Sequence, residues 1–170
     1  RFLFEIPTGA VADYLGRNNG TKQGNANQTA SGYMGKGFVF DGNGDYLSLP
    51  DSEDWNLSGG VWTIDCWVRL NSLTSERALF SQVTDSGTNT EFVIHTNGAA
   101  SFNIESNGVF VVSFGMPNGT FRTGVWQHVA IVENGNEYNV FVDGQLKGGQ
   151  LAVNRPANYT GAFEIGRYNV

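Results

Sequence analysis

The chain has 170 residues, 40% apolar and 13% aromatic, with 23 glycines, only 15% charged side chains and a net charge of −6. This is the composition of one folded domain, residues 1–170, with a sizeable core, and not of a disordered segment. The acidic balance works against a phosphate backbone or an anionic membrane surface as partner, because lysine and arginine hold both; it leaves neutral ligands and cations open.

Residues 1–5, RFLFE, read as a short strand. Residues 7–36 carry few apolar side chains and many Gly, Asn, Thr and Gln, and read as a long loop or a series of turns, a kind of segment that often carries function. From Gly37 onward, strand signals recur at short intervals. FVF (38–40) and YLSL (46–49) flank the stretch Asp41-Gly42-Asn43-Gly44-Asp45. Then follow 61–70, 77–83, 90–96, 100–106, 109–115, 125–133, 138–145 and 161–167, each rich in β-branched and aromatic residues. Asn97-Gly98, Asn107-Gly108, Asn134-Gly135 and Asp143-Gly144 lie between or at the ends of these runs. Such pairs suit type I′ hairpin turns, whose two central residues need positive φ. No helical apolar stripe competes. An antiparallel all-β fold, sandwich or barrel, is therefore expected.

The run WTIDCWVRL shows the alternation best. Trp62, Ile64, Cys66, Val68 and Leu70 share one face and are expected in the core; Thr63, Asp65, Trp67 and Arg69 share the other. Cys66 is the single cysteine, so no internal disulfide exists, and it reads as a small buried hydrophobe. His95 and His128 with one cysteine make no zinc constellation; His128 reads as a half-buried, hydrogen-bonded strand residue. The glycine-rich Asp41–Asp45 stretch lacks calcium-loop spacing. It reads as a hairpin turn that sets strand register, with Asp45 kept as a candidate ion ligand.

A saccharide-binding surface needs an aromatic plate for C–H faces and planar polar groups for hydroxyls. Alternation places Asp65, Trp67 and Arg69, then Glu91 and His95, then Ser101, Asn103 and Glu105, on faces away from the core. They line one groove if their strands are neighbours in one sheet. The alternative is an ordinary solvated face with Trp67 covered by a loop. Trp55 is a second plate or a plug over the end of the sandwich.

In order along the chain, GKGFVFDGNGDYLSLPDS, WTIDCWVRL, GVWQHVAIV, YNVFVDGQL and FEIGRY resemble the laminin-G-like, concanavalin-A-like lectin domains, as does the opening LFEIPTGAVADYLGRNNGT. The resemblance implies a two-sheet jelly-roll β-sandwich. It also implies a structural Ca2+, for which Asp13 and Asn18 would join Asp45, and glycan binding. Family members continue into a further strand after the Ile-Gly segment; this chain stops at Val170 and starts without methionine. Either that strand lies in a longer protein of which this is a piece, or another segment closes the sheet edge; an edge left open would be available to a protein partner or to self-assembly. Retaining glycanases of this fold carry Glu-x-Asp-x-x-Glu on one strand. No glutamate here has an acid two positions on. The expectation is a non-catalytic, lectin-like module of an extracellular or virion-associated protein, binding a cell-surface or virion polysaccharide. The alternative is a structural or adhesion domain, such as a virion decoration or fibre module, without sugar recognition; a glycan hydrolase with acids converging from different strands ranks third.

Overall fold

The computed structural model describes residues 11–168; the strand expected at residues 1–5 lies outside the described residues. The strands are β1 (Thr21–Gln23), β2 (Asn27–Gly32), β3 (Gly35–Val39), β4 (Tyr46–Leu49), β5 (Trp62–Arg69), β6 (Arg77–Asp85), β7 (Thr88–Ile94), β8 (Ala100–Ser106), β9 (Val109–Met116), β10 (Trp126–Glu133), β11 (Glu137–Val142), β12 (Gln145–Leu151) and β13 (Phe163–Ile165). A seven-stranded sheet runs β1-β4-β13-β6-β7-β8-β9 and a four-stranded sheet runs β12-β11-β10-β5; β2 and β3 form a separate hairpin. The pairs within both sheets are antiparallel. The fold is the expected all-β sandwich of jelly-roll type.

Period-two burial builds it. In β8, Ala100, Phe102 and Ile104 are buried while Ser101, Asn103 and Glu105 stand half-exposed on the other face. In β10, Val129 and Ile131 are buried and His128 is half-exposed. The two inner faces meet where Phe102 packs on Tyr138 of the opposite sheet, ring centroids 6.5 Å apart. Phe80, Phe92, Phe102, Phe121 and Val140 fill the same layer, each such side chain contributing about 2 kcal/mol by leaving water. Trp62, Ile64, Cys66 and Val68 face this core, half-buried because β5 is the edge of its sheet. Burial, with the Asp65 charge adding, pushes the Cys66 thiol up to about 11, so it stays protonated.

Several local expectations are corrected. Residues 7–36 contain β1, β2 and the first two residues of β3. Their strands are polar because the β2–β3 hairpin buries no full face; pairing holds it, and pairing leaves no apolar period. The Asp41–Asp45 stretch is not a hairpin turn. β3 pairs with β2, whereas β4 lies between β1 and β13, so Gly42 and Gly44, at φ 84° and 78°, bend the chain between sheets. Asn107-Gly108 and Asp143-Gly144 have positive φ at both residues, as expected for type I′. The Asn134 turn instead uses Gly135 and Asn136, and of Asn97-Gly98 only the glycine is left-handed. β12 carries no strand signal of its own. A Cβ on Gly148 would stand 2.9 Å from Phe114, so its glycine serves the close approach of β12 to β9.

Candidate functional site

Register across the seven-stranded sheet aligns Ser48, Glu164, Ser81, Glu91, Asn103 and Ser113 in one row on the face away from the core. Each is flanked along its strand by inward side chains, such as Phe92 beside Glu91 and Phe102 beside Asn103, which fixes the direction the row points. The side chains hold one another. Asn103 donates from Nδ2 to Glu91 Oε1 at 2.8 Å, and Ser113 donates from Oγ to Asn103 Oδ1 at 2.8 Å. Glu91 Oε2 is buried without a directed hydrogen bond, and the Tyr168 phenol is a further polar neighbour of this carboxylate.

The segment after β13 folds onto this face. Ser81 donates to the Arg167 carbonyl at 2.8 Å. Arg167 lies over the Tyr46 ring at 4.5 Å and beside Glu164 at 3.6 Å. Burial, the neighbouring Glu91 carboxylate and the charges of Glu105 and Glu76 push Tyr168 up to about 12. Burial also raises Glu164, against the pull of Arg167. A second row pairs Asn89 Nδ2 with Glu105 Oε2 at 3.2 Å, next to the exposed Phe110. His95 closes the other side, with Nδ1 2.7 Å from Glu76 and Nε2 3.1 Å from Ser101. The face thus offers fixed acceptors and amide donors flanked by two exposed rings, Tyr168 and Phe110. Hydroxyls and C–H faces of a saccharide are the chemistry that meets such a surface.

His95, Asn103 and Glu105 all lie here. Asp65, Trp67 and Arg69 do not: β5 belongs to the four-stranded sheet, so the condition for one groove, neighbouring strands in one sheet, is not met and they form a second surface. On that second surface the Trp67 indole is stacked under Tyr33, centroids 3.5 Å apart. His128 sits 5.2 Å from the indole and 3.4 Å from Asp65. Trp67 and Arg69 border a cleft of about 1300 Å³ along β5, which reaches Leu79 and Ile165 of the opposite sheet. Trp55 packs on Phe163 at 5.1 Å and donates to the Pro50 carbonyl, as a plug would.

The expected calcium ligands fit an ion poorly. Asp45 accepts backbone N–H groups of Asn25 at 2.7 Å and Asp41 at 2.9 Å. Asp13 accepts those of Arg17 and Asn18, and the first of these bonds is the main cause that lowers its carboxyl pKa. Asn18 gives its amide to Asp54 at 2.6 Å, which Arg17 also neutralises. Asp13 Oδ2 and both Asp45 oxygens thus already accept N–H groups, in separate hydrogen-bond networks. Among the described residues no group of three His, Cys, Asp or Glu side chains converges for a metal.

Sequence reasoning missed Ser48, Ser113, Glu164, Arg167 and Tyr168. Their signal is register: β13 inserts between β4 and β6, a pairing that no local pattern announces.

A family model described as concanavalin A-like lectin/glucanases superfamily matches residues 41–170. Among solved structures, domain 4 of AbnA, a GH43 extracellular arabinanase from Geobacillus stearothermophilus solved with arabinotriose, superposes with a TM-score of 0.72 at 19% identity, over 91% of this chain and 77% of that one. The botulinum neurotoxin serotype D binding domain gives 0.70 at 14% identity, over 90% of this chain and 40% of that one. The Ruminococcus gnavus IT-sialidase CBM40, bound to α2,3-sialyllactose, gives 0.52 at 19% identity, over 61% and 62%. At these identities the likeness is one of fold. The chain spans under half of the toxin structure. No curated protein matches the chain by sequence.

Proposed function

The chain belongs to the concanavalin A-like lectin/glucanases superfamily, and from that premise we propose that it is a non-catalytic carbohydrate-binding domain working outside the cell within a larger protein. One observation carries the reading: the Glu91–Asn103–Ser113 row, in which hydrogen bonds hold three planar or hydroxyl groups in fixed orientation beside the exposed Tyr168 ring. Preorganised polar groups next to a ring bind a hydroxylated ligand without first losing side-chain freedom. Two structural neighbours were solved with arabinotriose and sialyllactose, which supports saccharides as the ligand class. The lack of a Glu-x-Asp-x-x-Glu strand supports binding without hydrolysis. Among the described residues no helix is long and apolar enough to cross a membrane.

Glycan-array binding tests the reading, with Asn103→Ala as the control. A folded wild-type domain that captures saccharides, and a folded Asn103→Ala variant that captures them at least ten-fold less well, bears it out. A folded wild type that captures none refutes it.

A further inference from the structure

Tyr33 covers the Trp67 indole ring on ring, centroids 3.5 Å apart. The two rings lie nearly parallel, 12° between planes, on the outer face of the four-stranded sheet. Tyr33 comes from the turn of the β2–β3 hairpin, which pairs with no other strand among the described residues. The tip stands in solvent: Tyr33 is 46% exposed and its neighbour Met34 67%. A hairpin tip that stands in solvent is among the easier elements to displace.

The surroundings of the indole suit a ligand better than a core. Arg69 shares its face of β5, is exposed, and makes no side-chain hydrogen bond or ion pair with a described residue. Asp65 and His128 flank it on the other side, 3.4 Å from each other. Trp126 stands edge-on to Tyr33 at 6.0 Å. We infer that Trp67 is a second saccharide subsite, separate from the seven-stranded face, with Tyr33 as a displaceable cover. The ligand class is a chain of β-1,4-linked pyranoses with equatorial substituents. Their flat C–H faces match an indole, and their ring-edge hydroxyls reach outward to Arg69 and Asp65. While Tyr33 covers the indole, apparent affinity falls by the fraction of time the plate is bare. The inference rests on reading the domain as a saccharide binder, but not on which sheet face does the binding first.

Cellohexaose titrated into wild type, Tyr33→Ala and Tyr33→Phe, followed at the Trp67 indole N–H and the Asn103 side-chain amide by NMR, tests it. Tyr33→Ala should move the Trp67 signal at concentrations at least five-fold lower than wild type, and Tyr33→Phe should match wild type. In wild type itself, saturation should shift the Tyr33 ring protons, a readout that does not depend on the variant folding. A Tyr33→Ala response equal to or weaker than wild type, or a Trp67 signal silent throughout, overturns the inference. Shifts at Asn103 with Trp67 silent would sink the second subsite and leave the proposed function standing. Shifts at Trp67 with Asn103 silent would do the opposite for the seven-stranded face.

Discussion

Asp45 and Asn25, twenty residues apart, are joined by a backbone N–H donated to a buried carboxylate at 2.7 Å, and the second oxygen of Asp45 accepts from Asp41 at 2.9 Å. The carboxylate therefore staples the segment before β2 to the one entering β4. Asp45→Ala should lower the unfolding free energy in urea by about 2–3 kcal/mol, since two charge-assisted hydrogen bonds are lost and two N–H groups are left without partners. The same geometry commits both Asp45 oxygens to N–H donors rather than to an ion. EDTA should leave the melting temperature where it was, whereas a bound structural cation would make it fall.

Gly161 and Gly60 should respond differently to alanine. A Cβ on Gly161 would run into the Val83 carbonyl, whereas Gly60 has open space and only a positive φ of 94°. Gly60→Ala should cost about 1 kcal/mol, the ordinary penalty for a left-handed alanine. Gly161→Ala should cost more than about 3 kcal/mol, because backbone must shift. Equal effects in urea titrations would contradict the packing described at that site.

Glu133 is fully buried, accepts the Asn136 N–H at 2.9 Å, and lies 3.4 Å from the half-exposed Arg155. Removing the cation leaves a buried charge with less compensation. Arg155→Ala should cost about 1–2 kcal/mol, and much less in a Glu133→Gln background. A double-mutant cycle measures that coupling directly.

Stability should fall in alkali. Burial raises Tyr138 and Tyr168 to about 12 from 10 and raises Tyr159 further. The folded chain keeps protons that the unfolded chain releases, so the stability from these groups is intact below pH 10 and is lost between pH 10 and 12. Urea midpoints across that range should drop, and Tyr138→Phe should make the drop shallower. An unchanged slope would show that Tyr138 does not hold its proton for the reason given.

These sites differ in how far the sequence announces them. The alternation in 100–106 and 125–133 states both strand and facing, because period-two burial is written into neighbouring residues; it placed Asn103 and Glu105 on an outer face before any register was known. Trp67 was equally legible as outward-facing, but not its cover, since Tyr33 arrives from a polar hairpin with no apolar period. The Glu164–Ser81–Glu91 alignment was illegible because it depends on β13 entering between β4 and β6, a long-range choice. Asp13, Asn18 and Asp45 are expected as ion ligands from the family resemblance, not from their spacing; what distinguishes a ligand from a staple is where the N–H donors lie, and that is tertiary information.

The most direct measurement is backbone and side-chain NMR shift mapping with the glycan that the array shows to bind best. The account predicts shifts concentrated at Glu91, Asn103, Ser113 and Tyr168, and a loss of at least ten-fold in affinity, about 1.4 kcal/mol, for a folded Asn103→Ala variant. Shifts confined to other surfaces, with Asn103→Ala binding as wild type does, would contradict it.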